Sequence, residues 1–165
     1  MTIIIKNKET LLFDEFKFKC SVGKKGFSKN KKEGDYKTPV GIFDLGYIYY
    51  RSDRIQKPKS KIKIFKIKKN MGWCDDPCSR HYNKLIKIKK NLKSSYERLY
   101  RKDSKYDLLI LIKYNYKKVK KNKGSAIFLH LTKDYSTTKG CVTIKKNDFL
   151  ILIKLINKRT KIKIT

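Results

Sequence analysis

Residues Gly124 to Ile144 read GSAIFLHLTKDYSTTKGCVTI, and the interpretation of the chain starts from them. Two apolar runs in this stretch, Ala126 to Leu129 and Val142 to Ile144, are typical of buried strands. Between them lies a polar loop, Thr132 to Lys139, of the kind that joins two antiparallel strands. The pattern therefore predicts a β-hairpin.

The predicted hairpin carries a histidine and a cysteine that can act together. Because strand side chains alternate between two faces, His130 points away from the core if Leu129 and Leu131 point into it. By the same rule, Cys141 points away from the core if Val142 points inward. An imidazole near a thiol can accept its proton and stabilise the thiolate, which is the reactive form. From spacing alone, a nucleophilic cysteine and a buried structural cysteine are equal alternatives.

The stretch resembles the catalytic core of the YkuD-type L,D-transpeptidases, in which a strand histidine precedes a [Ser/Thr]-x-Gly-Cys turn. Here these elements are His130 and Thr138-Lys139-Gly140-Cys141. Further segments match the family in the same order along most of the chain. They are Gly23 to Gly26, Glu33 to Gly41 with its TPxG segment, Gly72 to Pro77 followed by Tyr82-Asn83, and Tyr114-Asn115.

The chain departs from the family pattern at two positions. Many members have histidine where Lys139 stands, and arginine two residues after the cysteine, where this chain has Thr143. In the family, that arginine is credited with helping to bind a substrate carboxylate. The departure therefore affects the expected substrate contacts and leaves the expected nucleophile in place.

The resemblance implies a mainly β fold, a curved sandwich or barrel-like sheet with one or two short helices, in a single domain over residues 1–165. It also implies that Cys141 attacks the carbonyl between the third residue of a peptidoglycan stem and its terminal D-alanine. His130 would act first as base and then as acid. The backbone N–H groups of Gly140 and Cys141 would stabilise the oxyanion, and a carbonyl near Thr138 would orient His130.

The resemblance also indicates substrate contacts and leaves the acceptor open. Arginine binds carboxylates in a bidentate way, which favours Arg80 for such a contact. The expected substrate-binding residues are Trp73, Arg80, Tyr82, Asn83, Asn115 and Ser125. Transfer to a second stem would give a cross-link, transfer to water a carboxypeptidase, and transfer to a free D-amino acid an exchange reaction. No cofactor is expected.

The net charge of +30 is the strongest feature of the composition. By itself it predicts a protein that binds nucleic acid or an anionic wall polymer, with a vestigial Cys/His pair. The lysines are nevertheless scattered through nearly every strand-like segment, and Ile, Asn, Tyr and Phe are abundant with them, as in proteins of AT-rich genomes. We therefore expect non-specific attraction to polyanions without sequence-specific readout.

The four cysteines do not form a disulfide-dense framework. Cys74 and Cys78 with His81 fall short of a zinc signature, so no metal site is predicted. A Cys74–Cys78 disulfide cannot be decided from the sequence. Cys20 shares the apolar face of an alternating segment and is expected in the core.

Length and segment composition predict the remaining organisation. A chain of 165 residues fits one domain, for which we expect a monomer. No apolar run is long enough for a membrane span, and no signal peptide is visible at Met1 to Glu9. The resemblance places such chemistry in the periplasm or cell wall, whereas the missing signal leaves the cytoplasm as an alternative.

Secondary structure is predicted from local patterns outside the central stretch. The first 22 residues are expected to form a β-meander, and Tyr106 to Tyr114 a central strand. Ser94 to Arg101 is expected to be a short helix. A second helix should follow an Asn147-Asp148 cap, and a final strand, Lys161 to Thr165, should return to the sheet.

Overall fold

The computed structural model describes all 165 residues, Met1 to Thr165. It contains fourteen strands and one helix, α1 (Lys146–Leu155). The strands are β1 (Thr2–Asn7), β2 (Thr10–Phe13), β3 (Phe16–Lys19), β4 (Phe27–Ser28), β5 (Thr38–Pro39), β6 (Gly41–Tyr50), β7 (Ile64–Lys66), β8 (Met71–Cys74), β9 (Leu85–Lys87), β10 (Tyr96–Arg98), β11 (Leu108–Ile112), β12 (Phe128–Leu131), β13 (Val142–Ile144) and β14 (Lys161–Ile164).

Nine of the strands form one sheet that is nearly closed, like a barrel. Its order is β13-β12-β11-β6-β14-β1-β2-β3, with β7 paired beside β6. The two ends of this path meet where Ser21, just after β3, bridges to Thr143 of β13. Each backbone N–H donates to the other residue's carbonyl, at 3.0 and 2.9 Å. The predicted mainly β, barrel-like fold is confirmed.

The main core lies between this sheet and α1. Strand β11 is buried along its whole length and lies between β12 and β6, so the predicted central strand is confirmed. Helix α1 buries Phe149, Leu152 and Ile153, whose spacing places them on one helical face. Full burial of such a side chain contributes about 1.5–3 kcal/mol.

The predicted β-meander and the returning C-terminal strand are also confirmed. Strands β1, β2 and β3 pair in sequence as antiparallel neighbours, and β14 inserts between β1 and β6. Cys20, which follows β3, is 1% exposed within the main core, as its alternating segment predicted.

The prediction that β12 and β13 form an antiparallel hairpin is wrong. The two strands pair in parallel, with His130 opposite Thr143. The connecting loop runs back along the sheet before β13 begins, and Thr138 in that loop exchanges backbone hydrogen bonds with Val22 and Lys24. Long-range pairing with the segment after β3 therefore sets the strand direction.

The predicted helix at Ser94 to Arg101 is also wrong. Residues Tyr96 to Arg98 form β10, which pairs with β8 and places Glu97 opposite Trp73. Helix propensity is a weak preference, and pairing with a neighbouring strand outweighs it here. Strand β8 also pairs with β9, giving a small three-stranded sheet beside the main one.

The start of α1 differs from the predicted cap. The helix begins at Lys146 after an extended Lys145, which provides no side-chain cap, so the cap does not lie at Asn147-Asp148. Asp148 instead lies in the first turn, where a carboxylate interacts favourably with the helix dipole. The helix is shorter and more polar than a membrane-crossing helix would have to be.

Candidate active site

A cavity of about 620 Å³ opens beside β12, and both His130 and Cys141 line it. Cys141 and Phe128 belong to a smaller apolar cluster, whereas Leu129 and Val142 belong to the main core. The predicted alternation of faces is therefore confirmed. Because Leu129 pairs with Val142, Cys141 lies beside Phe128, and His130 is its diagonal neighbour on the same face.

The Cys141 thiol is buried and held by backbone groups of the segment that leads into β12. Cys141 is 8% exposed. Its Sγ donates to the carbonyl of Ala126 at 3.2 Å and accepts from the N–H of Phe128 at 3.4 Å. Burial raises the pKa of the thiol to about 12, and the charge of Glu97 adds to this effect. Cys141 is therefore a neutral thiol near pH 7.

His130 is a buried, neutral imidazole. Its Nδ1 lies 3.0 Å from the carbonyl oxygen of Leu131, and since a carbonyl can only accept, Nδ1 carries the proton. Burial lowers the pKa of His130 to about 4. This tautomer leaves Nε2 free to accept a proton. The Leu131 carbonyl holds Nδ1 of His130 in this structure, whereas the resemblance indicated a carbonyl near Thr138.

Thr138 and Gly140 shape the turn before Cys141. Thr138 Oγ1 accepts from the Gly140 N–H at 3.0 Å and donates to the Cys141 carbonyl at 2.6 Å. The Gly140 N–H is thus occupied, contrary to its expected role as an oxyanion donor. The Cys141 N–H makes no hydrogen bond within the protein and remains the candidate donor.

Gly140 is required by close backbone contact. Its φ is +151°, and a Cβ there would lie 2.9 Å from the carbonyl oxygen of Lys37. Any other residue would therefore push the segment around Lys37 away from the turn. The glycine before the cysteine is explained by this contact between two loops.

Asn83, predicted to bind substrate, instead holds the framework behind the thiol. Its Oδ1 accepts from Trp73 Nε1 at 2.9 Å and from the Ala126 N–H at 3.0 Å. Its Nδ2 donates to the carbonyls of Tyr114 and Asn115. Asn83 therefore fixes Ala126, whose carbonyl oxygen accepts a hydrogen bond from the Cys141 thiol.

The other predicted substrate contacts have mostly structural positions. Buried Tyr82 donates to the Glu33 carboxylate and accepts from the Gly124 N–H at 3.0 Å. Asn115 Nδ2 donates to the carbonyls of its own loop at Lys120 and Gly124.

Of the six predicted contacts, the cavity wall contains Ser125 alone. Its Oγ donates to Glu33 at 2.8 Å. Arg80 is exposed and donates to its neighbour His81. The other five residues lie outside the cavity wall, with their polar atoms used inside the protein or placed at the surface, and their contact with substrate stays a prediction. Those residues are Trp73, Arg80, Tyr82, Asn83 and Asn115.

Several charged and phenolic side chains on the cavity wall were not predicted. Lys31 is 3% exposed and pairs with Asp35 at 2.7 Å. Lys31 lies in the basic loop between the matched segments Gly23 to Gly26 and Glu33 to Gly41. Glu33, also on the wall, belongs to the matched segment Glu33 to Gly41, whereas Glu97, Arg101, Lys105 and Tyr106 lie in segments without a match. These residues come from separate segments of the chain, which the fold brings to one cavity.

Thr143 occupies the position at which many YkuD-type proteins have arginine. It is 1% exposed, and its Oγ1 lies 2.6 Å from Ser21 Oγ. This hydroxyl pair lies at the seam where the sheet closes. Thr143 therefore supplies no positive charge at the position of the family's arginine.

All four cysteines are free thiols. Cys74 is buried at the end of β8, whereas Cys78 is exposed in the following loop. The open question of a Cys74–Cys78 disulfide is thereby answered, since the two residues are unpaired.

Comparison with known proteins identifies the family of the chain. Neither the curated proteins nor the solved structures gave a match. The family model of the YkuD L,D-transpeptidase catalytic domain matches residues 1–164, nearly the whole chain. The chain therefore belongs to the YkuD family of L,D-transpeptidase catalytic domains.

Proposed function

We propose that the protein is a cysteine-dependent acyl transferase acting on peptidoglycan stem peptides. The observation that carries this proposal is the placement of Cys141 and His130 on one face of the sheet, beside a shared cavity. The family supplies the substrate class, and the free Nε2 of His130 supplies a base for the thiol. Both groups are neutral at rest, so the thiol proton moves as attack begins.

The first half-reaction forms a thioester. Cys141 Sγ attacks the carbonyl that joins the third stem residue to the terminal D-alanine, and the thiol proton passes to His130 Nε2. The Cys141 N–H, which has no partner within the protein, faces the developing oxyanion. Collapse of the intermediate breaks the C–N bond. His130 returns the proton to the departing D-alanine amine.

The second half-reaction transfers the acyl group from sulfur to an amine. His130 accepts a proton from the amine of a second stem, that amine attacks the thioester, and the thiol is regenerated. Water in place of the amine gives a shortened stem, and a free D-amino acid gives an exchanged one. Since the substrate is a wall peptide, the cell wall is the proposed place of action.

The test is acylation of the purified protein by a tetrapeptide stem. Intact-protein mass should increase by the tripeptide acyl group, and free D-alanine should appear in equal amount. Cys141→Ala should abolish both signals and leave the circular dichroism spectrum unchanged, because the change removes the nucleophile with little loss of volume. Cys78→Ser, which alters an exposed thiol outside the cavity, is the matched control and should retain both.

Acylation of the Cys141→Ala variant would contradict the proposal. A wild-type protein that binds the stem without releasing D-alanine would contradict it as well. Analysis of the products with a second stem, with water alone and with a free D-amino acid then identifies the acceptor.

A further inference from the structure

Glu97 and Tyr106 lie on the cavity wall beside Cys141 and His130, and the acyl-transfer steps assign them no part. The Tyr106 hydroxyl donates to Glu97 Oε1 at 2.5 Å. Tyr106 is 4% exposed, and this phenol supplies the single hydrogen bond that the Glu97 carboxylate makes. Two polar side chains from different segments are thus hydrogen-bonded to each other in the wall of the cavity that Cys141 and His130 also line.

The Tyr106 ring packs against both side chains of the proposed reaction. Its centroid lies 4.9 Å from that of His130, with the two rings edge to face at 72°. It belongs to the same apolar cluster as Cys141 and Phe128. A shift of the phenol would therefore move the imidazole and uncover the thiol.

The environment of the two side chains is charged on several sides. The Arg101 guanidinium lies 5.0 Å from the Tyr106 ring centroid and 3.8 Å from Glu97 Oε1. It is also paired more closely with Asp103, at 2.6 Å. The remaining charged groups that act on Glu97 or Cys141 are Asp75, Lys139 and Lys31. None of these donates a hydrogen bond to Glu97, so Tyr106 alone fixes the carboxylate.

We propose that Glu97 and Tyr106 are a positioning pair for Cys141 and His130. The carboxylate fixes the phenol hydroxyl, and the phenol ring holds the imidazole edge to face beside the thiol. This proposal rests on the proposed function, because it takes Cys141 and His130 as the reacting groups.

The two members of the positioning pair act on the thiol in opposite directions. Beside the larger effect of burial, the negative charge of Glu97 raises the pKa of Cys141. The Tyr106 hydroxyl donates to that carboxylate and so weakens the effect of its charge on the thiol. Loss of the charge should therefore favour the thiolate, and loss of the hydroxyl should disfavour it. A residue with a purely structural role would not produce opposite effects from two nearly isosteric changes.

The test is the rate at which iodoacetamide alkylates Cys141 between pH 7 and pH 9.5, followed by mass analysis of its peptide. The alkylation rate follows the thiolate fraction. Glu97→Gln should raise the rate about threefold or more, and Tyr106→Phe should lower it by a similar factor. Tyr100→Phe is the matched control, since it removes a phenol-to-carboxylate bond, to Asp53, away from the cavity. Its rate should equal that of the wild type.

Unchanged rates in the two variants, or changes in the same direction, would overturn the positioning pair. Circular dichroism verifies that each variant folds, and either variant is a sufficient test if the other does not. Alkylation needs no stem peptide, so this outcome is independent of the acylation experiment. If the wild-type protein forms no acyl-enzyme, the proposed function is wrong, but the alkylation rates still test the positioning pair.

Discussion

At the scale of single residues, burial determines the protonation states of Cys141 and His130. Cys141 and His130 are both less than a tenth exposed, and burial disfavours the charged form of each. The pKa of the thiol rises and that of the imidazole falls, so the two shifts move the groups away from a thiolate–imidazolium pair. Cys141 and His130 are therefore both neutral in the folded protein near pH 7.

The depressed pKa of His130 predicts a pH dependence of stability. The folded protein binds this proton only near pH 4, whereas the unfolded chain binds it near its ordinary value of 6.5. The contribution of neutral His130 is therefore fully present above about pH 6.5 and is lost as the pH falls towards 4. The loss in the free energy of unfolding should be about 3 kcal/mol.

Urea unfolding at pH 7 and pH 4 measures this loss. His130→Gln removes the proton-binding site, so its free energy of unfolding should fall less between the two pH values than that of the wild type. His81→Gln, which changes the exposed histidine, is the control and should behave like the wild type. Equal pH dependence in all three proteins would show that His130 is not the group responsible.

At the scale of elements, the position of the segment before β12 depends on a residue of the loop between β8 and β9 that does not line the cavity. Asn83 lies between β8 and β9 and has a φ of 57°, a conformation that asparagine tolerates better than most residues. Through Trp73 and Ala126 it ties the smaller sheet to the start of β12. The position of the thiol is thus set from outside the site.

Replacing Asn83 with alanine should destabilise the protein and disturb the thiol. The change leaves the buried N–H groups of Trp73 and Ala126 without an acceptor, so the free energy of unfolding should fall by about 2–4 kcal/mol. Urea unfolding measures this loss, and the Cys141 alkylation rate reports the release of the Ala126 carbonyl. Asn91→Ala, at an exposed asparagine, is the control. A stability of Asn83→Ala equal to that of the control would refute this role.

Local patterns in the sequence predicted the elements that depend on local periodicity. Alternating apolar residues gave the meander and the faces of His130 and Cys141, because strand side chains alternate wherever one face is buried. The direction of β13 was predicted wrongly, since it depends on pairing with Ser21, far away in the sequence. The strand at Tyr96 to Arg98 was missed for the same reason.

Family motifs located the proposed nucleophile and base and one part of the cavity wall, including Glu33 and Thr138, but not the rest of the wall. Trp73, Tyr82 and Asn83 belong to matched segments, yet their polar atoms are used in the framework. Glu97 and Tyr106 lie in a segment without a motif match, and only the pairing of β10 with β8 brings Glu97 to the site. The motif matches therefore marked these positions as important, but they did not show whether each residue holds the framework or contacts a substrate.

At the scale of the whole molecule, the excess of positive charge is largely unpaired. Ion pairs within 4.0 Å involve only five of the 44 lysines and arginines. These are Lys31, Arg51, Arg54, Arg101 and Lys117. The remaining cations present a dense positive field to any polyanion.

This surface predicts weak, sequence-blind binding to duplex DNA that disappears with salt. Log affinity should fall linearly with log salt, with a slope of about −0.9 per phosphate neutralised. Acylation of Cys141 by a stem peptide should change far less across the same salt series, because its reacting centre is shielded from ions. Fluorescence anisotropy and intact-protein mass measure the two responses. Tight binding to one DNA sequence at physiological salt, beside an unreactive Cys141, would favour a polyanion-binding protein instead.

The closure of the sheet at Ser21 and Thr143 also bears on how the chain folds during synthesis. These partners are 122 positions apart, and contacts across so long a separation carry a large loop-closure entropy. We therefore expect the strand after Cys141 to dock late, after both Ser21 and Thr143 have left the ribosome. Until then, a nascent chain would carry Cys141 as an ordinary exposed thiol without its cavity.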